Sequence, residues 1–197
     1  MVSNDIWEVD QDSQGNMWFV GLGLSKFDGT TWTNYVTING QTFFASSMIE
    51  SSNGDLWFTV AAGLGLVKFD GVTWISYTTA DGFSSDTPGA IFQDSNDNIW
   101  VGSYDGTGID KFDGTDVIIY SFADGIANLD IRYSGVITEA SDGTLYFRTN
   151  FGVAVFDGVE WTSIAPTDGL PDEFVRSIIE DPEENLWIVS RYLLGES

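Results

Sequence analysis

The chain has 197 residues, no Cys and no His, and 30 acidic against 7 basic side chains, which gives a formal net charge of −23. The absence of Cys excludes disulfides and thiolate metal sites, and the absence of His removes the commonest general base and transition-metal ligand. So strong a negative charge repels nucleic-acid phosphates and anionic lipids, and neither is expected as a partner.

The remaining composition favours an all-β protein. Eight Trp, 14 Phe and 7 Tyr together with 22 Gly are typical of many short strands joined by tight turns. No apolar run approaches the roughly 18 residues of a membrane span. Residues 1–5 lack the basic and apolar regions of a signal peptide, so a signal is expected upstream of this sequence if the natural protein is exported.

The chain begins with a unit of four predicted strands. An alternating apolar segment at 6–9 is followed by a polar turn at 12–16, whose Asp, Asn and Gly residues favour a tight hairpin. The second strand covers 17–20. A Gly-rich link then leads to a third strand ending in Lys-Phe, an Asp-Gly turn and a fourth strand with two aromatic residues.

This unit recurs along the chain. A Phe-Asp-Gly turn occurs four times at spacings of 42, 43 and 44 residues, and an Asn-Gly or Asp-Gly pair follows 12 residues after each Phe. An aromatic residue in the second strand occurs five times, at Trp18, Trp57, Trp100, Tyr146 and Trp187. The extra occurrence indicates four complete units and the opening half of a fifth.

Four short antiparallel strands in about 43 residues, divided by Asp-Gly turns, are typical of a β-propeller blade. No segment keeps a 3.6-residue apolar period over a helical length, which excludes alternating helices and strands. We therefore predict one all-β propeller-type domain over 1–197, with four full blades and the first half of a fifth. The predicted blades cover 1–44, 45–85, 86–126, 127–170 and 171–197.

The repeat resembles that of the two-component regulator propeller family. Leu170-Pro171, the segment 175–181 and the strand 186–189 are similar to that family's Leu-Pro, Val-x-x-Ile-x-Glu-Asp and Leu-Trp-Ile-Gly, and 23–29 is similar to its Gly-Gly-Leu-x-Arg-Phe-Asp-Gly. Unit four departs from the pattern at Tyr146, where a Trp is usual. The resemblance implies a periplasmic or extracellular sensor region, as in bacterial hybrid histidine kinases that sense oligosaccharides.

Two recurring motifs are interpreted as structural. In Phe-Asp-Gly, the Phe fills space between blades, the Asp caps the turn and the Gly supplies positive φ. The second-strand Trp residues are expected to pack blade against blade, although a ring of sugar-stacking platforms is the alternative.

Two turns resemble calcium loops in part. Asp94, Asn96 and Asn98 place oxygens at alternate positions, as a hard cation requires. The Glu that closes an EF-hand loop is missing, because Asp105 stands at the twelfth position. Hairpin chemistry explains the turns at 12–16 and 94–98 without a metal, and we predict neither a metal site nor a cofactor.

Positions that break the repeat are the candidates for ligand binding. Arg148 stands where the other units have Val, Thr or Gly, Arg132 and Tyr133 lie in an insert before the first strand of unit four, and Tyr104 lies in the long link of unit three. Arg and Tyr at blade edges can hydrogen-bond and stack a sugar or an acidic ligand. The alternative for Arg148 is neutralisation of nearby carboxylates.

No catalytic residues are predicted. Propeller lyases of the streptogramin type have similar blades but depend on His, which this chain lacks. No pair of carboxylates stands out by its spacing, and no phosphate-binding Gly loop precedes a helix. The sequence therefore favours a binding or sensing module over an enzyme.

A partial fifth blade predicts exposed apolar faces at both ends of the blade series. We expect the partner to be a second copy of the chain, joined end to end, or the rest of a larger propeller. The main hypothesis is a sensing propeller with a carbohydrate ligand, and the alternative is a structural module for self-assembly.

Overall fold

The computed structural model describes residues 5–126, 137–149 and 151–190, and within these ranges it contains twenty strands and three short 3₁₀ helices. The strands are β1 (Ile6–Gln11), β2 (Met17–Gly21), β3 (Gly23–Phe27), β4 (Trp32–Tyr35), β5 (Thr37–Ile38), β6 (Gln41–Thr42), β7 (Ala45–Glu50), β8 (Leu56–Val60), β9 (Gly65–Phe69), β10 (Trp74–Tyr77), β11 (Pro88–Gln93), β12 (Ile99–Ser103), β13 (Ile109–Phe112), β14 (Val117–Tyr120), β15 (Ile137–Glu139), β16 (Leu145–Thr149), β17 (Gly152–Phe156), β18 (Trp161–Ile164), β19 (Val175–Glu180) and β20 (Leu186–Ser190).

These strands form a series of antiparallel sheets in sequence order. Sheet 1 contains β1–β4, sheet 2 β7–β10, sheet 3 β11–β14 and sheet 4 β15–β18, while β19 and β20 form the two-stranded sheet 5 and β5 and β6 form a short hairpin. The prediction of an all-β chain with four complete blades and the opening of a fifth is therefore confirmed.

Each four-stranded sheet has two ends that differ in their connections. The turns between its first and second strands and between its third and fourth strands lie at one end, which we call the turn end. The links between second and third strands lie at the opposite end, the link end. This division follows from the antiparallel strand order, and it separates two groups of side chains described below.

The Asn-Gly or Asp-Gly pair that begins 12 residues after the Phe of each Phe-Asp-Gly turn adopts one of two structures. Asn39 and Gly40, with φ of 52° and 81°, form the turn between β5 and β6. In the next three units the Asp is the last residue of a 3₁₀ helix. Its side chain accepts a hydrogen bond from the backbone N–H of the residue that precedes the helix, and a Gly with φ between 95° and 109° follows the helix. The helices cover Thr79–Asp81, Phe122–Asp124 and Pro166–Asp168.

The core lies between successive sheets and is dominated by aromatic rings. Trp18 and Tyr35 of sheet 1 stack at 5.7 Å and pack against Phe58, Phe69 and Trp74 of sheet 2. Trp100 and Tyr120 of sheet 3 meet sheet 4 in the same way. The second-strand Trp residues of sheets 1–3 are thus buried core residues, as the preferred interpretation expected.

The Phe-Asp-Gly turns have the predicted structural role. Phe112 is buried between sheets, Gly114 has φ of 96°, and a carboxylate oxygen of Asp113 accepts the backbone N–H groups of Thr115 and Asp116. Those hydrogen bonds hold the pKa of Asp113 below its usual value.

A second turn fixes the second-strand Trp in sheets 1, 3 and 5. The Asp94 carboxylate accepts hydrogen bonds from the backbone and side chain of Asn98 and, at 2.7 Å, from the indole N–H of Trp100. Asp12 and Asp181 repeat this arrangement with their own Asn and Trp. The turn proposed as calcium-like therefore uses its carboxylate to bind its own chain, which agrees with the hairpin interpretation.

We predict that the burial of this contact determines its energetic value. Asp94→Ala leaves a buried indole N–H and a buried Asn amide without their acceptor, and it should lower the free energy of unfolding by about 3 kcal/mol. Asp181→Ala is the matched control, because Trp187 is 59% exposed and water can replace the carboxylate. Urea unfolding followed by Trp fluorescence measures both, and equal losses for the two variants would contradict the account.

Candidate functional site

The structure describes two of the four candidate residues, Tyr104 and Arg148. Tyr104 is half exposed in the link after β12, and its backbone N–H donates to the carbonyl of Thr87 at 2.9 Å. Arg148 lies in β16 of sheet 4. Arg132 and Tyr133 lie outside the described residues. These two contacts do not join Tyr104 to Arg148, and a shared ligand site for the four residues stays a prediction.

Arg148 contacts the backbone of the next sheet. Its Nη1 donates to the carbonyl of Arg176 at 2.9 Å, where a bulge between Val175 and Ser177 interrupts the pairing of β19 with β20. The guanidinium thus satisfies a carbonyl at the irregular start of sheet 5. This contact gives Arg148 a structural role between sheets 4 and 5.

A buried carboxylate lies on the link side of the interface between sheets 2 and 3. Asp110 of β13 is 2% exposed, at a position occupied by Ser25, Val67 and Ala154 in the other sheets. Ser84 donates its backbone N–H and its hydroxyl to this carboxylate at 3.0 to 3.1 Å. Burying an acid in a repeat position that is otherwise small or apolar costs stability, so the position is a candidate for function.

Asp105 and three hydroxyls extend this feature to the surface. The Asp105 carboxylate accepts from the Ser85 hydroxyl at 2.9 Å, the Thr87 hydroxyl at 3.4 Å and the Thr107 hydroxyl at 2.7 Å. With Tyr104 beside them, these side chains and Asp110 form a polar group that we call the link-end cluster. Its hydroxyls and carboxylates suit a neutral, hydrogen-bonding ligand better than an anion.

The two acids of the link-end cluster titrate differently. Burial raises the pKa of Asp110 to about 6, and the negative charge of Asp105 adds to the shift. Burial also acts on Asp105, but hydrogen bonds from Thr107 and Ser85 hold its pKa below the usual value.

The same interface contains a cleft at its turn end. The cleft has a volume of about 370 Å³, and its lining residues are Ser51, Ser52, Asn53, Asp55, Trp57, Lys68, Tyr77, Gln93, Asp97, Ile99, Phe112, Asp113 and Gly114. A cavity of this size lies near the lower limit for small-molecule sites in proteins.

The cleft coincides with a change in the turn of sheet 2. Ser51 stands where Asp12 and Asp94 stand in sheets 1 and 3, and it accepts the Trp57 indole N–H at a longer distance of 3.2 Å. The carboxylate of this turn instead belongs to Asp55, four residues later, which pairs with Lys68 at 3.2 Å. The turn acid, which is buried in sheets 1 and 3, therefore lies on the wall of the cleft in sheet 2.

Smaller residues on sheet 3 accompany the cleft. Val101 and Val117 occupy the positions that are Phe58 and Trp74 in sheet 2, so fewer ring atoms fill the space between sheets 2 and 3. The remaining rings line one side of the cleft. Trp57 and Tyr77 stack at 5.6 Å, and Lys68 Nζ lies 5.8 Å from the centre of the Trp57 ring.

The cleft and the Asp110 position were missed by the sequence analysis, although both had a signal. The turn alignment shows Ser51 in place of Asp, and the third-strand alignment shows an acid among small and apolar residues. Among residues 5–126, 137–149 and 151–190, no group of three or more acidic side chains is arranged to hold a metal ion.

Comparison with known proteins fits this architecture. Residues 82–105 and 169–192 match the sequence model of the two-component regulator propeller. These two segments are similar to two-component regulator propeller repeats. The resemblance inferred from the sequence is thereby confirmed. No curated protein matches the sequence of the chain.

Solved structures share the fold of these repeats. The extracellular domain of a hybrid two-component system of B. thetaiotaomicron is similar with a TM-score of 0.77 and 23% identity, over 95% of this chain and 26% of that one. Virginiamycin B lyase from Staphylococcus aureus gives 0.73 and 19%, over 96% and 65%. PorZ, a surface component of the type-IX secretion system of Porphyromonas gingivalis, gives 0.64 and 15%, over 95% and 31%.

This chain spans about a quarter of the length of the extracellular domain from the hybrid two-component system. At these identities the similarity establishes the propeller fold. Within the part of the chain that the structure describes, no helix has the length and apolarity needed to cross a bilayer.

We predict that Asp110 makes stability depend on pH. The folded chain keeps this proton up to about pH 6, whereas a free Asp releases it near 3.8, so the folded state binds more protons between these values and stability falls as pH rises. Asp110→Asn should therefore gain stability over the wild type between pH 4 and pH 7, by on the order of 2 kcal/mol. Urea unfolding at several pH values measures the difference.

Asp113→Asn is the matched control with the opposite sign. Backbone hydrogen bonds lower the pKa of Asp113, so its ionised form stabilises the fold above pH 4 and the variant should lose stability there. A constant difference between Asp110→Asn and the wild type from pH 4 to pH 7 would contradict the assignment.

Proposed function

We propose that this chain is part of an extracytoplasmic sensor propeller that binds its ligand without transforming it. The repeats match the two-component regulator propeller, and a structural relative is an extracellular domain of a hybrid two-component system. A periplasmic or extracellular location is part of the same proposal.

A lyase is among the structural relatives, so the non-catalytic role needs its own argument. The structure of that lyase holds a catalytically inactive form in which a His is replaced by Ala. The present chain contains no His. The buried acid Asp110 is bound by Ser84 at the base of the link-end cluster, and its role as a structural acceptor requires no proton transfer.

We place the ligand in the cleft between sheets 2 and 3. The observation that carries this assignment is the replacement of the turn Asp by Ser51, which releases a carboxylate to the wall beside Lys68. The Lys68–Asp55 pair, Gln93 and Asp97 offer both donors and acceptors, while the stacked rings of Trp57 and Tyr77 provide an aromatic side. An aromatic surface beside paired donors and acceptors suits an oligosaccharide.

The charge of the cleft supports a neutral ligand. Asp55, Asp97 and Asp113 face a single cation, Lys68, among the residues that line it. An acidic ligand would meet net repulsion there, whereas the hydroxyls of a neutral sugar can donate to the carboxylates.

The proposal is tested by restoring the common turn sequence. The double variant Ser51→Asp/Asp55→Asn recreates the Asp and Asn pair of the first and third turns, which should strengthen the bond to the Trp57 indole and raise stability by about 1 kcal/mol. Because it removes Asp55 from the wall and the partner of Lys68, it should weaken oligosaccharide binding at least tenfold. Isothermal titration calorimetry against a library of neutral oligosaccharides measures the affinity, and thermal unfolding measures the stability.

Two further variants make this test specific. Asp142→Asn changes an exposed turn acid of sheet 4 and should leave binding unchanged. Tyr104→Ala removes the exposed ring of the link-end cluster. Loss of binding in Tyr104→Ala together with full binding in the double variant would move the site to the link end and overturn the assignment to the cleft.

A role in assembly is the second candidate function. The outward faces of sheets 1 and 5 expose apolar side chains, among them Val9, Trp32, Ile179 and Trp187. Such faces favour association with further blades. Light scattering over a tenfold concentration range distinguishes a chain that joins with its own copies from one that stays a monomer.

A further inference from the structure

The outward face of sheet 1 carries the same group of aromatic rings as the face of sheet 2 that is buried against sheet 1. Trp32 stacks on Phe27 at 4.8 Å and lies beside Phe19, as Trp74 does with Phe69 and Phe58 in sheet 2. Phe58 and Phe69 are covered by sheet 1, whereas Trp32 is 42% exposed. The exposed face therefore has the features of an interface between blades.

A polar contact accompanies every interface between successive sheets. In sheets 1–4, the second residue of the turn between the first and second strands donates its backbone N–H to a side chain of the next sheet, at 2.5 to 2.8 Å. The accepting side chain belongs to the last residue of that sheet's first strand. We call this contact the clasp. The four clasps pair Ser13 with Glu50, Ser52 with Gln93, Ser95 with Glu139 and Ser141 with Glu180.

The serine hydroxyl adds a second hydrogen bond to three of the clasps. Ser13 and Ser95 donate their hydroxyls to the second oxygen of Glu50 and Glu139 at 2.7 Å, and Ser141 does the same to Glu180 at 3.2 Å. In the Ser52 clasp the hydroxyl turns to Asp97 at 2.6 Å. Serine therefore stands at all four donor positions, and its hydroxyl makes the second bond of the clasp in three of them.

Sheet 1 carries the acceptor of a fifth clasp. Gln11 ends β1 at the position that Gln93 has at the end of β11, and its amide nitrogen is held by the carbonyl of Gly15, as that of Gln93 contacts Asp97. Gln93 accepts the Ser52 N–H through its amide oxygen. Gln11 therefore has the same kind of side chain as Gln93, with an amide oxygen that can accept a clasp N–H.

Sheet 5 lacks the corresponding donor. Its turn keeps Asp181, Asn185 and the indole bond of Trp187, but the residue after Asp181 is Pro182. Proline has neither a backbone N–H nor a hydroxyl, so it cannot form either bond of a clasp.

We propose that the outward face of sheet 1 binds a further propeller blade whose first-to-second-strand turn carries serine at the clasp position, with Gln11 as its acceptor. The occupant is a blade other than the fifth sheet of a second copy, since Pro182 removes the donor from that sheet. Continuity with the four observed interfaces, each of which contains a clasp, supports this partner. The inference goes beyond ligand binding and does not depend on the site of the ligand.

The clasp can be tested with the intact chain by giving sheet 5 the missing donor. Pro182→Ser should lower the dissociation constant for head-to-tail association at least tenfold, measured by light scattering and sedimentation velocity. Pro182→Thr, which also restores an N–H and a hydroxyl, serves as a second probe if the serine variant is unstable. Glu183→Ser changes the same exposed turn without a clasp donor and should behave like the wild type.

Two additional changes identify the surface. Gln11→Ala in the Pro182→Ser background should return association to the wild-type level, and Trp32→Glu should abolish it. Equal association of the wild type and the Pro182 variants, at any strength or at none, would overturn the proposal. Persistence of the tighter association in the Gln11→Ala background would overturn it as well.

Discussion

In four of the five sheets, the second-strand Trp is held by a hydrogen bond from its indole to the turn beside it. In sheets 1 and 3, Asp12 and Asp94 hold the indole at 2.8 and 2.7 Å, and the Trp rings are then 1% exposed between neighbouring sheets. A buried indole N–H without an acceptor would lower stability, so the turn has to supply an acceptor where the core buries the Trp ring. One short turn therefore sets both the hairpin and the ring on which the next sheet packs.

This constraint explains why the sequence predicted so much of the fold. The aromatic residue of the second strand and the Phe-Asp-Gly turn each fix a strand boundary, and their spacing locates sheets 1–4 as well as the partial sheet 5. The hairpin of β5 and β6 was not predicted, because Asn39-Gly40 was grouped with the Asp-Gly pairs. Asn tolerates the left-handed conformation of a two-residue hairpin, whereas Asp81 and its equivalents bond the backbone before a 3₁₀ turn.

The candidate site was harder to predict from sequence for a physical reason. Tyr104 and Arg148 depart from the repeat in side-chain type, but a cleft arises from what is absent between two sheets. The cleft is lined by Ser51 in place of a turn Asp, and the same interface holds Val101 and Val117, which are smaller than their counterparts in sheet 2. Comparing equivalent positions between units shows each substitution, but only the packing of sheet 2 on sheet 3 shows that the substitutions lie at the same interface. Asp110 lies in that same interface at its opposite end.

The central claim, that the altered turn of sheet 2 creates the ligand site, can be tested directly on the Trp57 indole N–H. An NMR titration with neutral oligosaccharides follows the indole signals, and Trp57→Phe assigns the one that matters. The account predicts that the Trp57 signal shifts on binding while the signals of Trp18 and Trp100, held by turn aspartates in closed interfaces, stay in place. Saturating binding of a ligand that leaves the Trp57 signal unchanged would contradict it.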